Sequence, residues 1–548
     1  MPLLQDQGFA QRPAIAKEVV FDDRGRTGRR RPGDPGIANV MVSNGRDIVR
    51  TAADGSWSLP VAEGDSLFVI KPPSWTTPIG FGGIPRFSRL HQPHGTPGDI
   101  DYRFAGVAPT GPLPASIDFA LRRQEERRDF EALLFTDTQP ENAVELAYLR
   151  DDIVAGAIGS NAAFGINHGD VMFDDLSLYE RYLDILGTTG MPWHHCPGNH
   201  DINSEASDDR FSRETWKRFF GPRHYAFQYA GATFVILDNV AYLGHNPGSA
   251  TSGQYRGMIG ERQLQFVRNL LANLPPDDLI VLSMHIPLVT YHSPDNPSDT
   301  TVDRRALMEL LSHRQHTVSF SGHMHMTEHH YLDAKEGFWG REPHHHHVLT
   351  AASGSWWSGP NTPNGIPLAH SCDGSPNGFH VLSVDGNKYS TRFVPSSKTP
   401  AAQLRIFVDG PHRRIGGEAG RNAAAVHRSL HQIPADAIEA CEVVANIFDG
   451  GPRTRVAFEI ADVTMQRVWM QRAASVDPFI VDVFAAHKAA LKSWVEPVPS
   501  SHVWKGRLPA NLKPGAHRVL VRAWDEYGRE HASHMVIEVT ARKSNSPV

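Results

Sequence analysis

Cysteine is nearly absent from this 548-residue sequence: Cys196, Cys372 and Cys441 are the three, odd in number and far apart. That excludes a disulfide-stapled scaffold and a cysteine-based zinc knuckle, and it fits a reducing compartment. Long apolar runs are missing too. No stretch approaches the roughly 20 apolar residues that span a bilayer, and the first 30 residues lack the apolar core of a signal peptide. A chain without a membrane span is expected, cytoplasmic by default, with an exported mature form as the alternative. Basic blocks are equally scarce. The net charge is −6 and no Lys/Arg run exceeds Arg29-Arg30-Arg31, which argues against a nucleic-acid partner.

What is present points to a folded, turn-rich, multidomain chain. The length implies about three to five domains. Hydrophobic residues make up 40% and charged residues 21%, near globular averages, so neither wholesale disorder nor a coiled coil is expected. Glycine (47) and proline (40) are abundant, which favours loops and β-structure. Histidine is the unusual residue. Twelve of the 30 fall between His285 and His347, a concentration that suggests metal or acid-base chemistry.

The periodicity changes twice along the chain. Residues 15–110 read as a small β-sandwich, with Asn39–Ser43 alternating, an Asp-Gly turn inside Thr51–Leu59, and Asp65–Lys71 following. Residues 128–395 read as an α/β unit. Strands are expected at Phe130–Thr136, Ala163–His168, Met191–Cys196, Thr233–Asp238, Asp278–Ser283 and His316–Ser321. Helices are expected at Glu141–Ile158, Leu176–Leu186, Glu261–Leu274 and Asp303–His313. After Val394 no further helix is expected, and 396–545 reads as a second β-sandwich.

Ligands of an α/β sheet bind at the carboxyl ends of its strands. Five such ends carry metal-type side chains: Asp137 and Gln139, Asp170, Asn199-His200-Asp201, His285, and the pair His323 and His325. A phosphate ester needs such a cluster, because its anionic oxygens repel a nucleophile until two divalent cations neutralise them and activate a shared water. Asp170 is the candidate bridge. Asp137, Gln139 and His325 would complete one site, and Asn199, His285 and His323 the other. Gly169, Gly198 and Gly322 let the backbone turn and approach closely, and the Gly-His-x-His spacing is expected to put His323 and His325 on one side of an extended strand.

In this order the five blocks resemble the calcineurin-like metallophosphoesterase superfamily. The resemblance implies a four-layer α-β-β-α sandwich, two divalent metal ions, and a His200 that assists the phosphoryl oxygen or the leaving group rather than binding metal. An acidic neighbour should hold the His200 proton; Asp174, Asp175 and Asp201 all qualify, and Asp201 is carried with His200 as catalytic. Gln139 stands where the family usually has His. Its carbonyl oxygen is a harder ligand, which leans the site toward Mn, Mg or Fe over Zn. The flanking segments, including Asp449-Gly-Gly-Pro-Arg453 and Trp504-Lys-Gly-Arg-Leu-Pro509, look like accessory domains of a bacterial three-domain branch that is commonly exported.

The expected activity is hydrolysis of a small-molecule phosphodiester or phosphomonoester, with a lean to diesters; the oligomeric state stays unassigned. A non-catalytic scaffold on a phosphoesterase fold and a surface glycan binder are the alternatives. His344–His347 either sends two of its four rings to the cleft or forms a solvated strand. Trp356 or Trp357 would wall the pocket or pack on an accessory domain.

Overall fold

The computed structural model describes residues 14–245, 253–396, 399–411, 431–461, 463 and 467–541. Residues 1–13, part of the stretch read for a signal peptide, lie outside the described residues, as do positions 542–545 of the expected C-terminal unit.

Eleven strands build the central body: β1 (Asp129–Phe135), β2 (Phe164–Asn167), β3 (Trp193–His195), β4 (Tyr225–Tyr229), β5 (Ala232–Ile236), β6 (Leu279–Ser283), β7 (Thr317–Ser321), β8 (Glu328–Leu332), β9 (His344–Val348), β10 (Gly378–Asp385) and β11 (Lys388–Pro395). They form a five-stranded sheet in the order β3-β2-β1-β10-β11 and a six-stranded sheet in the order β4-β5-β6-β7-β9-β8. β1, β2 and β3 run parallel, as do β5, β6, β7 and β9; β3 is a parallel edge, and the other three edges, β4, β8 and β11, are antiparallel to their neighbours. Strands covered on both faces need apolar side chains throughout, and Leu279-Ile-Val-Leu-Ser283 is buried at every position.

Alternation along β1 sorts the layers. Ala132 and Leu134 pack in one cluster with Phe234, Ile236 and Val281 of the second sheet. Leu133 and Phe135 face the other way, onto Leu146, Leu149, Leu183 and Leu186 of the helical segments Ala143–Tyr148, Leu149–Val154 and Tyr179–Gly187. The second sheet is backed by helix Glu261–Leu271, which turns Leu264, Phe266, Val267 and Leu270 inward at helical spacing, and by helix Arg304–Leu311. The result is the α-β-β-α sandwich expected from the resemblance. The expected helix over Glu141–Ile158 is broken: an α-helical turn capped by Asn142 passes into a π-helical stretch at Leu149–Val154 before a last turn, Ala155–Ala157.

Two four-stranded sheets precede this body. Strand Phe119–Arg123, beyond the expected limit at 110, belongs to one of them, pairing in parallel with Ala14–Asp22. Four- and five-stranded sheets follow it, packed on a shared core that includes Val443, Phe458, Trp504, Val521 and Ile537. Helix formation does not stop at Val394. Pro478–Ala486 is α-helical, started by Pro478 in its first turn and by Asp477, whose side chain accepts from Phe479 N–H. Among the described residues no helix is long and apolar enough to cross a membrane.

Candidate metal centre

The loops that leave the carboxyl ends of β1, β2, β3, β6 and β7 meet between the two sheets, and they bring all seven expected ligands into one connected cluster. Asp170 Oδ2 lies 3.0 Å from Gln139 Nε2 and 3.2 Å from His285 Nε2. His285 Nε2 is in turn 2.9 Å from Asn199 Oδ1 and 3.2 Å from His323 Nδ1. Asp137 Oδ1 faces His325 Nε2 at 3.6 Å, while its Oδ2 accepts the His323 backbone N–H at 2.9 Å. Asp170, His285 and His323 offer ligand atoms within 4.8 Å of one another.

The backbone that achieves this is strained. Asp137, Gln139, Asp170, His323 and His325 all have φ between 32° and 73°, a region that side-chain-bearing residues enter at a cost of about 1–3 kcal/mol each. His323 and His325 therefore sit in a tight bend after β7, not on one side of an extended strand as their spacing suggested. Close approach accounts for the glycines. A Cβ at Gly198 would overlap Asp170, one at Gly322 would overlap Thr136 and Asp137, and one at Gly169 would crowd the His285 ring.

Backbone carbonyls set the tautomers. His285 Nδ1 donates to His168 O and His325 Nδ1 to Gly354 O, which orients each ring so that Nε2 is the nitrogen that faces the cluster and would take a cation. Asn239, which the sequence reading passed over, fixes the His285 loop by accepting the N–H groups of His285 and Ile286. Asp299 stands 3.4 Å from His323 Nε2.

The donor set fits divalent cations. Buried Asp137 Oδ1 and Gln139 Oε1 have no hydrogen-bond partner, an arrangement that costs free energy unless something positive is held there. Burial pushes the Asp170 carboxyl up, but His285, His200 and His323 outweigh it and hold the group well below the ordinary range. Burial likewise lowers His285, yet Asp170 and Asp137 bring it up to about 9. The two shifts are the two sides of one attraction between the Asp170 carboxylate and the His285 ring, a role that a bound cation would take over from the imidazole.

His200 contacts the cluster only through its backbone N–H, which donates to Asp170 Oδ1 at 2.9 Å. Its ring is held by Asp174: Nδ1 is 2.8 Å from Asp174 Oδ1, and the carboxylates of Asp170 and Asp174 raise it to about 9 against the effect of burial. Among the three acidic neighbours, geometry singles out Asp174. Asp175 caps a helical turn by accepting from Ser177 N–H. Asp201, expected to be catalytic, is a loop clamp: fully buried, it accepts from Tyr179 OH, Gly198 N–H and Val171 N–H.

Neither expectation for His344–His347 holds. The run is β9, an interior strand buried at every position and hydrogen-bonded between β7 and β8. His344 and His346 contact Ser319 on one face, and His345 and His347 face His329 on the other. The tryptophans divide. Trp356 stacks on His325 with centroids 3.9 Å apart, whereas Trp357 is buried and donates to Thr138 O. Two aromatic neighbours of the cluster were not anticipated. Phe173 stacks on His200 at 4.9 Å, and Trp494, from the region after the core, stacks on Phe173 at 5.9 Å. The Lys492 ammonium lies over both rings.

Residues 131–327 match the family model described as Calcineurin-like phosphoesterase, and residues 346–531 match the model described as C terminal of Calcineurin-like phosphoesterase. No curated protein matches the chain. Among solved structures, the purple acid phosphatase PPD1 from yellow lupin (Lupinus luteus) seeds is similar at 10% identity, over 66% of this chain and 68% of that one, with a TM-score of 0.36.

Proposed function

On the premise that the chain carries a calcineurin-like phosphoesterase domain followed by that family's C-terminal domain, we propose that it hydrolyses phosphoesters at the seven-ligand cluster, with phosphodiesters bearing a flat aromatic or nucleobase group preferred. The observation that carries this reading is the pair of buried, unpartnered oxygens, Asp137 Oδ1 and Gln139 Oε1, inside a connected set of carboxylate, amide and imidazole donors. Asp137, Gln139 and His325 would hold one cation, Asn199, His285 and His323 a second, and Asp170 both. Two divalent cations, when bound, would neutralise the phosphoryl oxygens and bring a shared water's pKa toward neutrality. The Gln139 oxygen favours Mn, Fe or Mg over Zn on its side.

The chain's own groups supply the rest. Asp174 holds the His200 proton at Nδ1, which leaves Nε2 to give a proton to the departing oxygen. Phe173, Trp356 and half-exposed Trp494 form an aromatic rim beside His200 and His325, with Trp494 as its exposed member, and Lys492 adds a positive charge. Such a rim rewards a second, planar ester substituent by stacking, which a bare monoester lacks.

The test strips the full chain of metal, restores Mn, Fe, Zn or Mg, and compares aryl phosphate monoesters with diesters. Metal-dependent turnover with a higher kcat/KM on diesters supports the reading. Turnover of neither class under any metal would favour the scaffold alternative, and a monoester preference would overturn the diester assignment.

A further inference from the structure

A second cluster of metal-type ligands lies buried away from the cleft. His329 comes from β8, His347 from β9, His380 from β10, and Asp449 from the Asp-Gly-Gly-Pro loop that follows strand Glu442–Ile447. Three ring nitrogens converge on one carboxylate oxygen: Asp449 Oδ1 is 3.2 Å from His329 Nε2, 3.1 Å from His347 Nε2 and 3.2 Å from His380 Nε2. His329, His347 and Asp449 have ligand atoms within 4.8 Å of one another, and all three are buried.

Hydrogen bonding accounts for this cluster incompletely. His347 is fully buried, its Nδ1 has no hydrogen-bond partner, and its Nε2 stands 3.1 Å from Asp449 Oδ1, an oxygen it shares with two other rings. A buried imidazole in that state costs free energy unless its lone pair is used. In a tetrahedral site with metal–ligand bonds of about 2.0–2.1 Å, neighbouring donor atoms stand roughly 3.3–3.4 Å apart. The contacts to Asp449 Oδ1 are close to that spacing. His329 is also oriented as a ligand would be, because its Nδ1 lies 2.9 Å from His345 Nε2, and His345 Nδ1 lies 2.9 Å from Tyr389 OH. In one tautomer of that relay His329 donates from Nδ1, and its Nε2 lone pair points at the cluster.

We propose that His329, His347 and Asp449, with His380 in the fourth position, form a structural zinc site that ties both sheets of the catalytic sandwich to the C-terminal β-region. Imidazole and carboxylate ligands, burial and the absence of an open position suit a closed zinc site and not a second catalytic one. The four ligands come from three sheets or their connecting loops, so metal binding would stabilise the packing of the units as well as each of them.

The test is anomalous diffraction at the zinc edge on crystals of the full chain equilibrated with zinc. A peak within bonding distance of His329 Nε2, His347 Nε2 and Asp449 Oδ1 is expected. Zinc density in the cleft alone would overturn the proposal, and the map separates the two sites whether or not the cleft is catalytic. In solution, the Asp170→Asn chain should retain one zinc per chain and lose several degrees in Tm when a strong chelator removes it. Asp449→Asn in the same background should bind none. Equal zinc content in the two variants would also count against the site.

Discussion

His200 Nδ1 and Asp174 Oδ1 stand 2.8 Å apart, at equal side-chain exposure of 26%. This contact commits one ring nitrogen to a carboxylate and leaves the other for chemistry. Asp174→Asn should lower kcat by roughly 10- to 100-fold, within the range for impaired acid catalysis. The loss should be larger on alkyl esters, whose leaving oxygen needs a proton, than on nitrophenyl esters. Asp175→Asn, which touches only a helical turn, should leave kcat unchanged. Equal losses on both leaving groups would remove His200 from the role of proton donor.

Trp494 and Trp357 separate binding from stability. Trp494→Ala should raise KM for aryl or nucleobase diesters by roughly 2- to 10-fold, the worth of one aromatic contact, with Tm little changed because the ring is half exposed. Trp357→Phe leaves Thr138 O without its donor and should cost about 1–3 kcal/mol of stability. Its effect on the diester preference should be nil. Steady-state kinetics beside thermal unfolding of the two variants checks both outcomes.

Acid stability should depend on Asp373. The residue is fully buried, and its carboxylate accepts Ser375 N–H, Thr327 N–H and His502 Nε2. Burial pushes the carboxyl up, and His502 with the two amides outweighs it, so the folded value lies below the ordinary one. The stabilisation is therefore complete above the unfolded value of about 3.9 and is lost as pH falls through the lower folded value. Asp373→Asn should lose about 1–3 kcal/mol at pH 7, and its gap from the native chain should close as pH drops below about 4. Denaturant unfolding across that window reads it, and a gap that stayed constant would contradict the account.

The ligands were legible in the sequence because each sits two to four residues past a strand, where short apolar runs give way to Asp, Gln, Asn or His. The α-β-β-α core was legible for the same reason, in alternating strand and helix patterns. What the sequence hid was contact across long separations. Trp494 reaches Phe173 from the region after the α-β-β-α core, and no local pattern marks it. Asp201 looked catalytic because it follows His200, yet the turn points its carboxylate at Gly198 N–H and Tyr179 OH. The His344–His347 run has a strand's alternation but a polar composition, so its burial depended on partners such as Ser319 and Asp449 that only the fold supplies. Helix Pro478–Ala486 did carry a local signal, the Asp-Pro pair at its start, which the surrounding strand-like segments masked.

The most direct measurement is a manganese titration of metal-stripped native chain and of Asp170→Asn, following diester turnover and bound metal together. Native turnover should rise from near zero and saturate as the cleft fills with two ions, while the variant stays inactive and binds less. Full turnover by the metal-free chain, or an Asp170→Asn variant that matches the native chain in rate and metal content, would contradict it.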